Sequence, residues 1–234
     1  AIREVLEKQA PVEIVWKPSV FLPFHPNGMT FESFGTEGTD GGPSASWTVY
    51  SIGGGALSEG DKPAGYLTET KDIYELTHLV DIQKWCDDTG RAYWEYVQQT
   101  EDSSLWDYLS TVWAAMRESV ERGVNHEGRL PGPLNLQRKA PIYYVKAQGY
   151  KTTLQTRALV YAYALAVSEE NASGGIIVTA PTCGSCGVLP AVLYHLWKGH
   201  GFSERRILNA LATAGLVGNI VKENASISGA DVGC

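Results

Sequence analysis

The sequence predicts an α+β protein, with a few antiparallel strands at the N-terminal end and a mainly helical remainder. Three observations lead there. Residues 1–55 read as short extended runs broken by proline, glycine and an Asn-Gly pair. From about Thr70 the apolar residues recur at helical spacing instead. Between the two lies Gly53-Gly54-Gly55 followed by LSEGDKPAGY, which reads as a linker. The chain is therefore divided into residues 1–60 and 61–234.

In the first part VEIVW, VFLPF, MTFESFG and SWTVYSIGG are expected as strands. Within MTFESF, Met29, Phe31 and Ser33 alternate with Thr30, Glu32 and Phe34, a period of two that fits a half-exposed antiparallel strand. TEGTDGGPSAS, polar and glycine-rich, reads as the hairpin loop between neighbours.

In the second part DIYELTHLVDIQKWC predicts a helix with Ile73, Leu76, Val80 and Trp85 turned towards one face. SSLWDYLSTVWAAMRESVERG predicts another, striped by Leu109, Val112, Met116 and Val120, capped by Ser103 or Ser104 and stopped at Gly123. LQTRALVYAYALAVSEEN presents Leu154, Ala158, Tyr161 and Leu165. A last helix from Ser203 to about Lys222 presents Ile207, Leu211, Ala214 and Val221, with many small residues that allow close packing.

The 234 residues are 44% hydrophobic and 19% charged, the balance of a globular protein with a core. A net charge of -7 argues against nucleic acid as a partner, because sequence-independent affinity for phosphate needs clustered Lys and Arg. No run approaches the roughly 20 apolar residues of a spanning helix, and AIREVLEKQ lacks a signal-peptide layout, so a cytoplasmic protein is expected. Cys86, Cys183, Cys186 and Cys234 are too few and too uneven for a disulfide scaffold. The start without Met and the stop at Cys234 after a small-residue run read as part of a longer polypeptide.

VTAPTCGSCGVLPAVLYHLW is the most informative stretch. A short apolar run meets a turn of Thr182, Cys183, Gly184, Ser185, Cys186 and Gly187, and a helix follows with Pro190 in its first turn. Glycines beside small polar residues let backbone N–H groups converge near a helix N-terminus, an arrangement that can hold a carboxylate. A tight loop before a buried helix accounts equally well for any single residue here.

The CxxC spacing of Cys183 and Cys186 is that of redox dithiols and of half a zinc site. A zinc site wants a second pair and a thioredoxin-like site wants a strand-helix-strand unit, and the sequence offers neither. Loop packing is the expectation for Cys183, with Cys186 left open as a neighbour of an active site.

KENASISGADVGC is dense in hydrogen-bonding groups, with Asn224, Ser226, Ser228 and Asp231 before Cys234. A cysteine among small residues is open enough to ligate an inorganic cluster, though a helix end and a turn explain the same pattern. EGRLPGPLNLQRKAP gathers Arg129, Arg138 and Lys139 into a local positive cluster of a kind that can attract an anionic substrate, while for Arg138 and Lys139 individually a solvated loop is the expectation. His25, His78, His126, His195 and His200 show no metal-binding spacing and are expected in surface or core roles.

Taken together, HPNGMTFESFG, YSIGGG, LPGPL, VSEENASGGIIVTAPTCGSCGVLPAVL and NASISGADVGC resemble consecutive blocks of the iron-sulfur-dependent L-serine dehydratases, in order and rough spacing over nearly the whole chain. The resemblance implies an N-terminal α/β domain, of which residues 1–60 would be a remnant. It also implies a helical catalytic domain holding a [4Fe-4S] cluster on three cysteines. Cys234 corresponds to the first of these, while Cys183 and Cys186 fall in the active-site surroundings. Thr182, Gly184, Ser185, Gly187, Asn224, Ser226 and Ser228 are the candidate substrate-binding residues; the catalytic residue is left unassigned.

The implied reaction turns L-serine into pyruvate and ammonia without pyridoxal phosphate, the open iron binding the substrate hydroxyl as a Lewis acid. Asp231 stands where the family pattern has glutamate. Two further cluster cysteines and a Ser-Ser-Ser-His-Thr block belong to the pattern and are absent from the sequence, so this chain is expected to be without cluster and inactive as it stands. The alternatives are a related lyase acting on cysteine or another β-substituted amino acid, a non-catalytic amino-acid-binding module, and a thiol-redox protein. A homodimer is compatible with the small-residue helix surface.

Overall fold

The computed structural model describes residues 6–17, 19–25, 27–35, 42–53, 56–60, 72–179 and 184–224. The chain divides into two compact units, residues 1–71 and 72–234.

In the first unit β1 (Gly28–Ser33), β2 (Ala45–Gly53) and β3 (Ala56–Ser58) form one antiparallel sheet in the order β1-β2-β3. The β1–β2 hairpin runs in register from Gly28 opposite Tyr50 to Ser33 opposite Ala45. Cross-strand pairs hold that register: Phe31 and Trp47 stack at 5.6 Å, and the hydroxyls of Thr30 and Thr48 share a 2.9 Å hydrogen bond. β3 pairs with β2 from Tyr50 opposite Ser58 to Gly53 opposite Ala56, with an irregularity between Ser51 and Gly53.

Two expectations change here. Residues 12–16 and 20–24 carry no strand, and Val15, Trp16, Val20 and Phe21 are exposed. Their β-branched and aromatic content favours a pleated surface, but among the described residues no strand pairs with them. Conversely, part of the expected linker, Ala56–Ser58, pairs with β2 as β3.

The second unit is built from α1 (Leu79–Thr89), α2 (Tyr93–Thr100), α3 (Ser104–Asn125), α4 (Ala140–Gln148), α5 (Thr152–Ala172), α6 (Val188–His200) and α7 (Glu204–Asn224). With the sheet, they make a mainly helical α+β chain. α5 is central: α3, α4 and α6 all pack against it, while α7 lies on α2 and α3. Small residues on α5 permit the closeness. At Gly123 of α3 and Gly187 at the head of α6, an added Cβ would strike the backbone oxygens of Ala166 and Ala164 respectively. Around these approaches Trp113, Val120, Val167, Tyr194 and Ile207 are fully buried, and each contributes about 1.5–3 kcal/mol by leaving water. A column of rings runs through the core, Tyr144, Tyr163, Tyr194, Trp197 and Trp113, with neighbouring centroids 4.8–6.0 Å apart.

Several expected helix faces turn differently. α1 begins only at Leu79 and buries Ile82, leaving Ile73 and Val80 exposed. On α3 the first-turn amide of Ser104 is capped by Asp102 Oδ1 at 2.9 Å rather than by a serine, and Gly123 lies inside the helix as a contact instead of ending it. α5 buries Ala162, Tyr163, Ala166, Val167, Glu169 and Glu170, leaving Leu154 and Tyr161 exposed. α7 buries Ile207, Leu211, Ala212 and Leu216, leaving Val221 exposed. On α5 the apolar residues surround the helix, so their spacing names no unique face.

Candidate functional site

The last third of α5 is the platform from which the site is built. Two adjacent glutamates there, Glu169 and Glu170, are both buried. Each has a separate set of partners. Glu169 caps another helix: its Oε1 accepts from Lys139 N at 2.7 Å and its Oε2 from Ala140 N at 3.3 Å, satisfying amides at the start of α4.

Glu170 accepts from Arg122 Nε at 3.1 Å and Arg138 Nη1 at 3.0 Å, and lies 3.4 Å from His126 Nδ1. Burial by itself pushes the Glu170 carboxyl up. The hydrogen bonds from Arg122, Arg138 and His126 outweigh that and hold it below the usual carboxylate range. The arginines reach further, Arg138 Nη2 to Ser173 Oγ at 2.6 Å and Arg122 Nη2 to the Ile176 carbonyl at 2.6 Å. α5 itself ends through Gly174, whose φ of 74° is a left-handed conformation that glycine tolerates.

Beyond this node the chain passes to the turn at 184–187 and then into α6. Gly187 has helical angles, φ -83° and ψ -19°, so no special backbone conformation calls for a glycine there. Close approach does, since only a residue without a side chain fits over the Ala164 carbonyl. Gly184 and Ser185 are exposed beside it, and Cys186 is buried with the core. At the start of α6 Val188 N donates to the Ser185 carbonyl at 3.1 Å and Ala191 N to the Gly187 carbonyl at 3.2 Å, and Pro190 brings no N–H. The turn places the exposed Gly184 and Ser185 directly before this helix N-terminus, where the helix dipole carries partial positive charge.

Of the candidate residues, Gly184, Ser185 and Gly187 are thus contiguous on this turn. Asn224 stands at the end of α7, where its Nδ2 donates to the carbonyls of Thr77 at 2.7 Å and Ile220 at 2.9 Å. The first bond ties α7 to the segment before α1, and the second returns to the last turn of α7 itself. Thr182, Ser226, Ser228, Asp231, Cys183 and Cys234 lie outside the described residues.

One sequence expectation is overturned outright: Arg138 is no solvated loop residue but has a side chain only 1% exposed, paired with Glu170. Its burial follows from the carboxylate waiting on α5, since a buried guanidinium needs both a counter-charge and hydrogen bonds. Glu169, Glu170 and Arg122 were not singled out from the sequence. Two acids closing an otherwise apolar helix were the available signal. His195 takes a core role in part. Among the described residues, its Nε2 and Trp113 Nε1 are buried side-chain atoms without a hydrogen-bond partner. Burial, and then the neighbouring His200, pull the His195 pKa down.

A cluster cofactor can be tested against these residues. Among the described residues no three His, Cys, Asp or Glu side chains are grouped so as to hold a metal. The described cysteines are Cys86 on α1 and Cys186 beside α6, so the described part does not supply a ligand set.

A short antiparallel sheet, a helical body around a central helix and a glycine-rich turn at a helix start define a class of mainly helical α+β protein. Comparison makes this particular. The family model described as serine dehydratase alpha chain matches residues 52–234, and the chain belongs to that family. It is 37% identical over 229 residues to the L-serine dehydratase of Haemophilus influenzae, covering 92% of this chain and 49% of that protein. It is 37% identical over 227 residues to L-serine dehydratase 2 of Escherichia coli, covering 91% and 48%. Against the L-serine dehydratase of Streptomyces coelicolor it is 35% identical over 224 residues, covering 91% and 48%. The chain spans about half the length of these curated relatives. Among the described residues no helix is long and apolar enough to cross a membrane.

Proposed function

We propose that this chain carries the serine-binding part of an L-serine dehydratase, a lyase that converts L-serine to pyruvate and ammonia. The observation that carries this reading is the family match over residues 52–234, which takes in the whole glycine-rich turn and the helix after it. In this reading the turn with Thr182, Gly184, Ser185 and Gly187 receives the substrate carboxylate, its N–H groups and the start of α6 supplying partial positive charge. Asn224, Ser226 and Ser228 offer polar groups to the rest of the substrate. For Asn224 the contribution is its side-chain oxygen, because its amide hydrogens already serve Thr77 and Ile220.

The reaction removes the α-proton and the β-hydroxyl of serine as water, leaving aminoacrylate, which water converts to pyruvate and ammonia. Holding the carboxylate fixes the α-carbon, and with it the direction of the proton to be removed. A [4Fe-4S] cluster with Cys234 among its thiolate ligands belongs to the same reading. Among the described residues no His, Cys, Asp or Glu side chains are grouped to complete its ligand set.

The test is binding by the chain itself. Titration of L-serine into isotope-labelled protein is expected to shift the amide resonances of Gly184, Ser185 and Gly187, with D-serine giving a weaker response. Unchanged resonances at this turn, with L-serine at millimolar concentration, would refute the assignment. The cysteine has its own check: alanine at the position aligned with Cys234 in the full-length Haemophilus influenzae relative is expected to bleach the cluster's visible absorbance.

A further inference from the structure

We infer that Arg122 is a positioning residue for the serine-binding turn, acting through a clamp that it forms with Glu170 and Arg138 on residues 173–176. This rests on the reading of the turn given above.

The clamp is distinctive in where its bonds go. Arg122 and Arg138 each give one hydrogen bond to Glu170 and one to the segment leaving α5, on the Ile176 carbonyl and Ser173 Oγ. The rest of the segment folds back onto α5: Gly175 N donates to the Glu170 carbonyl at 2.9 Å, and a Cβ at Gly175 would come within 2.8 Å of Glu170 Oε2. Ile176 itself is 77% exposed, while Ile177 and Val178 after it pack partly against the core. At Ile176 the backbone is held through its carbonyl by the guanidinium of Arg122, itself braced by a carboxylate whose side chain is only 6% exposed. Downstream, Gly187 rests on Ala164 of the same helix. The stretch between α5 and α6 is thus pinned at both ends to one rigid helix, by the clamp at 173–176 and by the glycine contact at 187. The planar fork is essential, because it serves the carboxylate and the carbonyl at once, whereas a lysine ammonium is a point charge on a flexible stem.

Two variants and two measurements separate positioning from plain support. In Arg122→Gln, hydrogen exchange of the amides at 177–179 and 184–187 is expected to quicken about tenfold, while exchange at Val120, Val167 and Tyr194 stays at the wild-type rate. Arg122→Lys keeps a positive charge beside Glu170, so it is expected to recover thermal stability yet leave the same amides fast. It also keeps the experiment decisive if the glutamine variant fails to fold. Unchanged exchange at 177–179 and 184–187 in Arg122→Lys, or quickening spread evenly through α3 and α5, overturns the inference. L-serine is then added to the wild-type chain. Slowed exchange at 184–187 supports the serine reading, and no slowing refutes that reading alone, since the clamp is judged without ligand.

Discussion

Glu170 shows how much depends on a single carboxylate. Arg138 beside it has a side chain 1% exposed, so removing the negative charge strands a buried guanidinium. Losing one partner of a buried pair costs about 3–5 kcal/mol. Glu170→Gln is therefore expected to lower the unfolding free energy by about 3 kcal/mol at pH 7, read from urea denaturation. The sign with pH follows from the depressed pKa of Glu170 in the folded state. The stabilisation is complete above the unfolded carboxyl pKa of about 4.3 and is lost as the pH falls through the lower folded value. The gap between wild type and variant should accordingly be constant from pH 7 to 5 and close below about pH 4. A gap that widens on acidification would contradict this account. At Gly187 the constraint is steric. Gly187→Ala has to push α6 off the Ala164 carbonyl and is expected to cost about 1–3 kcal/mol, read from urea denaturation.

Among the elements, α5 does the most and was read least well. Its sequence is apolar nearly all round, and a spacing rule that looks for one stripe selected Leu154 and Tyr161, which face outward. The inward face was marked instead by small residues, Ala162 and Ala166, and by two acids, Glu169 and Glu170. Such acids look like solvent-facing residues until the arginine and the helix start that they serve are known, and those partners lie 29 to 32 positions away. Amphipathic α3 was legible by contrast: Leu109, Met116 and Val120 are buried as its periodicity predicts. The dependence of α4 on Glu169 makes a prediction at this scale. Glu169→Ala leaves Lys139 N and Ala140 N without their acceptor and is expected to cost about 2 kcal/mol, with faster amide exchange through Ala140–Gln148 before the other helices respond.

For the molecule as a whole, the division into sheet and helices was readable because alternation and helical spacing differ in period and a glycine-rich stretch separates them. The strands expected at 12–16 and 20–24 were misread because propensity cannot tell whether a neighbour exists to pair with. The 184–187 turn stood out from its own residues, whereas the clamp behind it is a product of tertiary contacts. Global stability should carry a second pH signature above that of Glu170. His195 has its folded pKa pulled below the usual histidine value, so the unfolded chain takes up the proton first. Stability is expected to fall as the pH drops below about 6.5, and His195→Phe should flatten the melting temperature between pH 8 and 5.5. An equally steep profile in that variant would assign the effect elsewhere.

The glycine contacts at Ala164 and Ala166 and the paired acids at 169 and 170 sit on one helix within two turns. Each residue of an α-helix advances the azimuth by about 100°. One alanine inserted after Val167 would leave both glycine seats in place yet swing the carboxylates away from the arginines. α5 therefore works as a phase gauge, in which residue count, as much as residue identity, keeps its carboxylates facing the arginines while Gly123 and Gly187 stay seated.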